Sequence, residues 1–282
     1  MSTSSVSTPP PLRILLLHGY TQSGPLFSAK TRALYKALQK SSSPRSVHFS
    51  YPTGPNRLKP ADIPGFSAPE QRDGAQPPGG KDDEVEAYGW WQRKDTEEGI
   101  IYKGIEEGLA AIAQCIKEEG PFDGVIGFSQ GAAAAGMVAS LLEGEQRLRG
   151  FEEAEKHGGM EYPKSFREAD GFVQPPMKFA IVYSGFRAPG KRYDGFYTPK
   201  IKTKTLHFIG QVDTVVEEER SRVLVGCCEE ERVVVHPGGH FLPSQRPWLD
   251  ACVGFVREAL QETAKGRTGA DEKGVEDTDV PF

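Results

Sequence analysis

Residues 120–136 read GPFDGVIGFSQGAAAAG and place one serine, Ser129, between two glycines. The apolar run before Ser129 predicts a buried strand, and the alanine-rich run after it predicts a closely packed helix. A Gly-x-Ser-x-Gly turn between a strand and a helix exposes the serine hydroxyl, because its glycines leave room for the neighbouring chain. The five residues alone fit an ordinary glycine-rich turn equally well, so the surrounding pattern decides the interpretation.

That surrounding pattern alternates strands with helices along the whole chain. Apolar runs predict strands, and three- and four-residue apolar spacings predict helices. The predicted strands are LRILLL (12–17), SVHFSYP (46–52), FDGVIGFS (122–129), KFAIVYSGF (178–186), TKTLHFIGQVD (203–213) and ERVVVHPGGH (231–240), and the main predicted helices cover 25–40, 99–119, 130–144 and 248–263. The sequence therefore predicts an α/β fold, a doubly wound, mostly parallel sheet with helices on both faces.

The 282 residues are enough for one such domain, which we predict to span 12–264. Residues 1–11 are polar and rich in proline and predict a disordered N-terminal tail, and 265–282 predict a charged C-terminal tail. Two segments, 58–83 and 143–176, lack periodicity and predict irregular loop excursions.

Composition limits the classes of partner. The net charge of −5 and the absence of a long basic block give no electrostatic reason to expect nucleic acid or an anionic membrane. No apolar run is long enough for a signal peptide or a membrane span, which predicts a cytoplasmic protein that could also enter the nucleus. The 4 cysteines have neither metal-site nor disulfide spacing, so we expect reduced thiols, no metal and no cofactor. A small acyl-type substrate fits best.

A nucleophilic serine needs a histidine as general base and a carboxylate that orients it. Asp213 lies in the loop after the apolar run TLHFIG (205–210), and His240 lies in the loop after the last apolar run. The chain order is serine, acid, histidine, as in α/β-hydrolases. Asp194 is a second candidate acid in a polar connection, and His236 is a second candidate base. Spacing favours His240 only modestly, because glycines before it allow the chain to turn back over the sheet.

The tetrahedral intermediate of acyl transfer needs backbone N–H donors around its oxyanion. The residue after the serine, Gln130, is one predicted donor, and Tyr20, in the loop after the first strand, is the other. We expect His18 to brace that loop, since it precedes the serine in the chain. Structural or solvated roles are predicted for the histidines elsewhere, His48, His157 and His207.

Three blocks of the sequence resemble one known family. LLLHGYTQSG (15–24), GPFDGVIGFSQGAA (120–133) and HPGGHFLP (236–243), together with a tryptophan pair and GQVD (210–213), are similar to the fungal FSH-type serine hydrolases of the α/β-hydrolase fold. The resemblance implies Ser129 as nucleophile, Asp213 as acid, His240 as base and the amides of Tyr20 and Gln130 as oxyanion donors. It also implies hydrolysis of acyl esters or thioesters, with an acyl carrier protein as a candidate partner.

Aromatic residues near the proposed site are candidates for lining an acyl pocket. We predict this role for one of the adjacent pair Trp90 and Trp91, and less strongly for Phe128, Phe186 and Phe241. Core packing is the alternative for all of them.

The sequence thus predicts a serine carboxylesterase or thioesterase that forms an acyl-enzyme. A lysophospholipase or acyl-protein thioesterase type of activity is an alternative within the same fold. A catalytically silent, ligand-binding homologue is the non-enzyme alternative, although a complete set of serine, aspartate and histidine argues against it.

Overall fold

The computed structural model describes residues 9–63, 86–97 and 99–271. Most of the predicted N-terminal tail, most of the 58–83 excursion and the end of the predicted C-terminal tail lie outside these residues. The described part centres on a six-stranded, all-parallel sheet with the strand order β6-β5-β4-β3-β1-β2. Its strands are β1 (Leu12–Leu17), β2 (Val47–Ser50), β3 (Gly124–Phe128), β4 (Phe179–Tyr183), β5 (Thr205–Gly210) and β6 (Glu231–His236).

Helices cover both faces of the sheet, as the alternating pattern predicts. They are α1 (Gly24–Lys30), α2 (Arg32–Ser42), α3 (Ile105–Glu119), α4 (Gln130–Leu141), α5 (Glu145–Glu155), α6 (Glu218–Val225) and α7 (Arg246–Asp271). Successive side chains of a strand point to opposite faces. Leu15 and Leu17 of β1 therefore pack with the core that includes α3 and α4, and Ile14 and Leu16 pack with the core that includes α2 and α7. The doubly wound fold is confirmed.

The helix predicted over 25–40 is two helices. α1 ends at Lys30 and α2 begins at Arg32, with Thr31 between them at a non-helical φ of −98° and ψ of 10°. The Thr31 hydroxyl donates to the carbonyl of Phe27 and contacts the Tyr51 hydroxyl at 2.7 Å. These side-chain contacts stabilise the non-helical conformation of Thr31 between the two helices. The apolar spacing of the sequence does not reveal this interruption.

The predicted helix over 99–119 is wrong at its start. Residues Gly99–Lys103 form a strand that pairs antiparallel with Gln92–Thr96, and α3 begins only at Ile105. Gly104 separates the two elements at φ +82°, a conformation that favours glycine. The branched side chains of Ile100 and Ile101 suit a strand, and the apolar spacing alone does not show this.

The segment 143–176 also differs from an irregular loop. It contains α5, a short 3₁₀ helix at Lys164–Phe166 and a hairpin that joins Arg167–Glu168 to Gly171–Phe172. Phe151 of α5 is buried in the core. At the end of the chain, α7 continues beyond Lys265, where the sequence predicts the tail to begin.

The remaining elements lie between β2 and α3 and between β4 and β5. Asn56–Arg57 pairs with Tyr88–Gly89, and 3₁₀ turns cover Pro60–Asp62 and Lys191–Phe196. Among the described residues, no helix combines the length and apolar character needed to cross a membrane.

Candidate active site

Ser129 occupies a strained turn between β3 and α4. Its φ of +54° and ψ of −117° are unusual for a residue with a side chain. Its N–H donates to the carbonyl of Tyr183, which fixes the turn at the carboxyl end of β4. A Cβ atom at Gly127 would lie 2.1 Å from the carbonyl oxygen of Gly131, and one at Gly131 would lie 2.1 Å from that of Leu17. Both glycines are therefore required by close approach.

The side chains of three predicted residues meet above this turn. His240 Nδ1 lies 2.8 Å from Asp213 Oδ2, and His240 Nε2 lies 3.0 Å from Ser129 Oγ. An ionised carboxylate only accepts hydrogen bonds, so Nδ1 carries the proton and Nε2 accepts from the serine hydroxyl. The Phe128 ring packs against the imidazole with ring centroids 4.8 Å apart. This arrangement has the hydrogen-bonding pattern of a serine, histidine and aspartate triad.

Asp213 is held rigidly behind the histidine. Its side chain is 1% exposed, and Oδ1 accepts from the N–H groups of Val215 and Val216, each at 2.9 Å. Burial opposes ionisation of Asp213, but the hydrogen bonds from His240, Val216 and Val215 outweigh it and hold the pKa of the carboxyl below its ordinary value. Asp213 is thus kept as a carboxylate that faces the imidazole.

The alternative acid and base have other partners. Asp194 forms an ion pair with Arg187. His236 is buried and its Nδ1 accepts from the N–H of Gly238. Burial lowers the pKa of His236, against a smaller opposing effect of Asp213. The geometry therefore selects Asp213 and His240 from the two pairs of candidates.

The glycines before His240 serve a different purpose from the one the sequence suggests. Neither Gly238 nor Gly239 has a positive φ. A Cβ at Gly210, in the neighbouring strand, would lie 2.6 Å from the carbonyl oxygen of Gly239, and one at Gly238 would lie 2.3 Å from the Phe241 ring. Close packing of the loops after β5 and β6 is what carries His240 to Ser129.

Two backbone N–H groups near Ser129 have no acceptor among the described residues. Within the described part of the chain, neither the Tyr20 nor the Gln130 amide N–H donates to a protein atom. A Cβ at Gly19 would lie 2.9 Å from the Phe128 ring, so this glycine lets the loop after β1 approach β3. The two free donors match the predicted oxyanion pair, and Gln130 lies at the positive end of α4.

The side chain of Gln130 joins α4 to the tryptophan pair. Its Oε1 accepts from the Trp90 N–H at 2.8 Å, and its Nε2 donates to the Trp91 carbonyl at 2.9 Å. Asn56 Nδ2 donates to the Trp90 carbonyl at 3.0 Å. The segment beneath the proposed oxyanion site is therefore held by side-chain hydrogen bonds on both sides.

His18 braces the loop after β1, as predicted from its position. Its Nδ1 donates to the Gly19 carbonyl, and its Nε2 accepts from the Gly54 N–H, both at 2.8 Å. The Trp90 indole N–H donates to the His18 carbonyl at 2.9 Å. Burial lowers the pKa of His18 to about 4, against a smaller opposing effect of the Gly19 carbonyl. The neutral imidazole thus joins the loop after β1 to the backbone of Gly54, and the His18 carbonyl joins the same loop to Trp90.

A cleft of about 390 Å³ opens beside Ser129. It is lined by Tyr20, Thr21, Gln22, Lys30, Phe128, Ser129, His240, Phe241, Leu242 and Ser244. Phe128 and Phe241 thus lie where the sequence places aromatic pocket residues. Sequence reasoning did not identify Lys30, which lies outside the quoted blocks, or Leu242, which lies in HPGGHFLP (236–243) but was given no role.

The predicted pocket role of the tryptophan pair is wrong. Trp90 is fully buried and Trp91 is 2% exposed, so neither has surface to offer a substrate. Trp91 instead stacks on Tyr102 with ring centroids 4.9 Å apart. Phe186 is likewise a core residue beneath Arg220 and does not line the cleft. Their large apolar area stabilises the core.

The comparisons with known proteins agree with this fold. Residues 6–252 match the family described as Serine hydrolase (FSH1). The chain is 37% identical over 253 residues to a dihydrofolate reductase of Schizosaccharomyces pombe, which covers 88% of this chain and 48% of that protein. It is 34% identical over 245 residues to Esterase OVCA2 of Danio rerio, which covers 83% of this chain and 91% of that protein. The chain therefore spans about half the length of the first relative.

A solved structure gives the fold independently. Acyl-protein thioesterase 2 of Zea mays superposes with a TM-score of 0.55 at 17% identity, and the match covers 89% of this chain and 94% of that one. At this identity the likeness concerns the fold, which is the predicted α/β-hydrolase fold. The family match includes all six strands of the sheet, and both relatives named above exceed 30% identity. This chain belongs to the FSH1 family of serine hydrolases.

Proposed function

We propose that this protein cleaves carboxylic esters or thioesters through an acyl-enzyme intermediate on Ser129. One observation carries the proposal: the imidazole of His240 is hydrogen-bonded to Asp213 on one side and to the Ser129 hydroxyl on the other. Family membership and the esterase among the relatives support the same reaction class.

The first half of the reaction acylates the enzyme. His240 Nε2 takes the hydroxyl proton as Ser129 Oγ attacks the acyl carbon, and Asp213 stabilises the imidazolium. The free N–H groups of Tyr20 and Gln130 bind the oxygen that becomes negative. The imidazolium then gives its proton to the departing alcohol or thiol, which leaves an ester on Ser129.

The second half removes the acyl group with water. His240 takes a proton from the water as it attacks the acyl carbon, the oxyanion forms again at the same amides, and Ser129 recovers its proton as the acid leaves. The cleft beside Ser129 supplies room for the acyl or the alcohol part of the substrate.

The narrower alternatives depend on the substrate. An acyl-protein thioesterase type of activity is supported by one solved structure of the same fold that has this activity in its name. A lysophospholipase type of activity is supported only by the serine hydrolase chemistry that the two activities share. An acyl carrier protein as partner and a cytoplasmic or nuclear location remain predictions from the sequence. The catalytically silent alternative is disfavoured by the intact hydrogen bonds between Ser129, His240 and Asp213.

A matched series of ester and thioester substrates with the same acyl chains tests the proposal. Wild-type protein is expected to hydrolyse at least one of the two series, and Ser129→Ala is expected to lose turnover by a factor of about 10³ or more. Equal rates for wild type and Ser129→Ala would contradict the proposal. The exposed Ser41→Ala in α2 serves as the matched serine control.

A further inference from the structure

Three residues other than glycine have a positive φ in the described part of the chain, and all three follow strands of the central sheet. They are Thr21 at φ +68°, Ser129 at +54° and Ser184 at +50°. This conformation costs free energy for a residue with a Cβ, and residues held in it concentrate at functional sites. Thr21 lines the cleft and Ser129 is the proposed nucleophile. Ser184 does not line the cleft, so its strain needs another reason.

Ser184 directly follows β4, which lies between the strand that precedes Ser129 and the strand that precedes Asp213. Its N–H donates to the Phe208 carbonyl at 2.9 Å, which fixes it to β5. The carbonyl of the residue before it, Tyr183, accepts from the N–H of Ser129 at 2.9 Å, which fixes it to the nucleophile turn. Ser184 is 1% exposed. It therefore lies between the nucleophile and the acid, buried from solvent.

The Ser184 hydroxyl is a buried polar group beside the Asp213 carboxyl. It makes no hydrogen bond of ordinary geometry to a described residue. Burial raises the pKa of Asp213, and the Ser184 hydroxyl is close enough to the carboxyl to be among the groups that lower this pKa, after His240 and Val216. A buried hydroxyl without a partner costs free energy. The Asp213 carboxylate is an acceptor within its reach.

The Asp213 carboxylate has room for one more donor. A carboxylate offers about four lone-pair sites on its two oxygens. Oδ1 accepts from the N–H groups of Val215 and Val216, and Oδ2 accepts from His240. Oδ2 can therefore accept a second hydrogen bond. Hydrogen bonds of a catalytic site are often poorly aligned before substrate binds and tighten during the reaction.

We propose that Ser184 is a positioning residue, whose hydroxyl donates to Oδ2 of Asp213 and holds the carboxylate against His240 as the imidazolium forms. The hydroxyl keeps its proton, and Ser184 touches no reacting atom. Glycine would adopt the same φ without strain but carries no hydroxyl, which gives the strained serine its reason. This inference rests on the proposed function, because it concerns the acid of that triad.

Ser184→Ala and Ser184→Gly both remove the hydroxyl, and only glycine also relieves the strained φ. With the ester or thioester that the wild type hydrolyses fastest, both are expected to lower kcat about tenfold and leave KM unchanged. Urea unfolding checks that Ser184→Gly is folded, so the test does not depend on Ser184→Ala. Ser140→Ala removes another buried hydroxyl, which bonds to the Met137 carbonyl in α4, and is the control with unchanged kcat. An unchanged kcat in both Ser184 variants would overturn the inference.

A mutant cycle with Asp213→Asn separates positioning of the acid from a general structural role. If Ser184 acts through the carboxylate, Ser184→Ala lowers kcat in the wild-type background and has little further effect in Asp213→Asn. An equal fold-loss in both backgrounds contradicts the inference, because the hydroxyl would then act independently of the carboxylate.

A measurement without turnover distinguishes this inference from the proposed function. The proton NMR resonance of the His240 Nδ1–H reports its hydrogen bond to Asp213, and it is expected to shift in Ser184→Ala and to stay in place in Ser140→Ala. A shift in a protein whose wild type hydrolyses neither substrate series contradicts the function and supports the inference. Hydrolysis by the wild type, with an unchanged resonance and an unchanged kcat in Ser184→Ala, contradicts the inference and leaves the function supported.

Discussion

The loops after β1 and β6 each carry a histidine close to Ser129, and the two histidines have opposite surroundings. Both ring nitrogens of His18 are bonded to backbone groups, of Gly19 and Gly54. Both ring nitrogens of His240 are bonded to side chains, of Asp213 and Ser129. Backbone partners fix a loop in place, whereas side-chain partners can exchange a proton with the imidazole.

Position in the sheet alone does not define a general base. Both loops follow parallel strands and reach the same edge of the sheet, where ligands bind in such folds. What separates the two histidines is the identity of their partners. The comparison predicts a large loss of activity from changes at the loop after β6 and smaller, mostly structural losses from changes at the loop after β1.

The largest effect is expected for His240→Ala. Without the imidazole, no group takes the proton from Ser129, and kcat is expected to fall by a factor of about 10³ or more. Steady-state ester hydrolysis measures it, with circular dichroism as the check on folding. A loss smaller than that caused by His18→Gln would reverse the assignment of the two loops.

A comparable loss is expected for Asp213→Asn. The amide cannot hold the imidazole in the tautomer whose Nε2 accepts from Ser129, so kcat falls by about 10³ or more while folding is retained. Asp194→Asn is the matched control, because its partner is Arg187. Normal turnover in Asp213→Asn together with a loss in Asp194→Asn would move the acid to Asp194.

A smaller effect on activity is expected for Gln130→Leu. This change leaves the Trp90 N–H and the Trp91 carbonyl without their side-chain partners, which lowers the free energy of unfolding by about 2 kcal/mol. The loosened segment underlies the proposed oxyanion donors, so kcat falls about tenfold while KM changes little. Denaturant unfolding and steady-state kinetics measure the two effects, and an unchanged stability would show that these hydrogen bonds are not formed.

The smallest effect on activity, with a distinct pH signature, is expected for His18→Gln. The pKa of His18 is about 4 in the folded chain and ordinarily 6.5, so the unfolded chain binds more protons between these values. The contribution of His18 to the free energy of unfolding is fully present above pH 6.5. As the pH falls towards 4, this free energy decreases by on the order of 3 kcal/mol. His18→Gln removes the part of the pH dependence of the free energy of unfolding that comes from His18.

Urea unfolding from pH 4 to pH 7 measures the contribution of His18 to the pH dependence of stability. The stability difference between wild type and His18→Gln is expected to shrink as the pH falls. His157→Gln is the control, because its side chain is 71% exposed. If the stability of His18→Gln changed with pH as steeply as that of the wild type, His18 would not be buried in its neutral form.

The sequence predicted the fold and the central arrangement of the site because both depend on local patterns. The bounds of β1 are those of the apolar run LRILLL (12–17), and the glycines around Ser129 follow from the steric needs of its turn. The pairing of Asp213 with His240 joins residues 27 apart, and the order of the strands brings them together. Periodicity and topology predict the sheet and place these loops at one edge, whereas the choice of His240 over His236 follows from the family resemblance.

The failures of prediction have long-range physical causes. Trp90 and Trp91 are core residues because the hairpin next to them and α3 cover them, which aromatic composition does not reveal. The helix predicted from Gly99 gives way to the strand pairing of Gly99–Lys103 with Gln92–Thr96. The buried side-chain oxygen of Gln22 accepts no hydrogen bond from a described residue, which is visible only when the partners of every neighbouring group are known.

Labelling with a fluorophosphonate probe, followed by peptide mapping, shows whether Ser129 is activated, because such probes react far faster with an activated serine than with an ordinary one. One adduct, on Ser129, is expected to form in wild type, to form much more slowly in His240→Ala and to be absent from Ser129→Ala. An unlabelled wild-type protein, or an adduct that persists in Ser129→Ala, would contradict the claim that His240 and Asp213 activate Ser129 as the nucleophile.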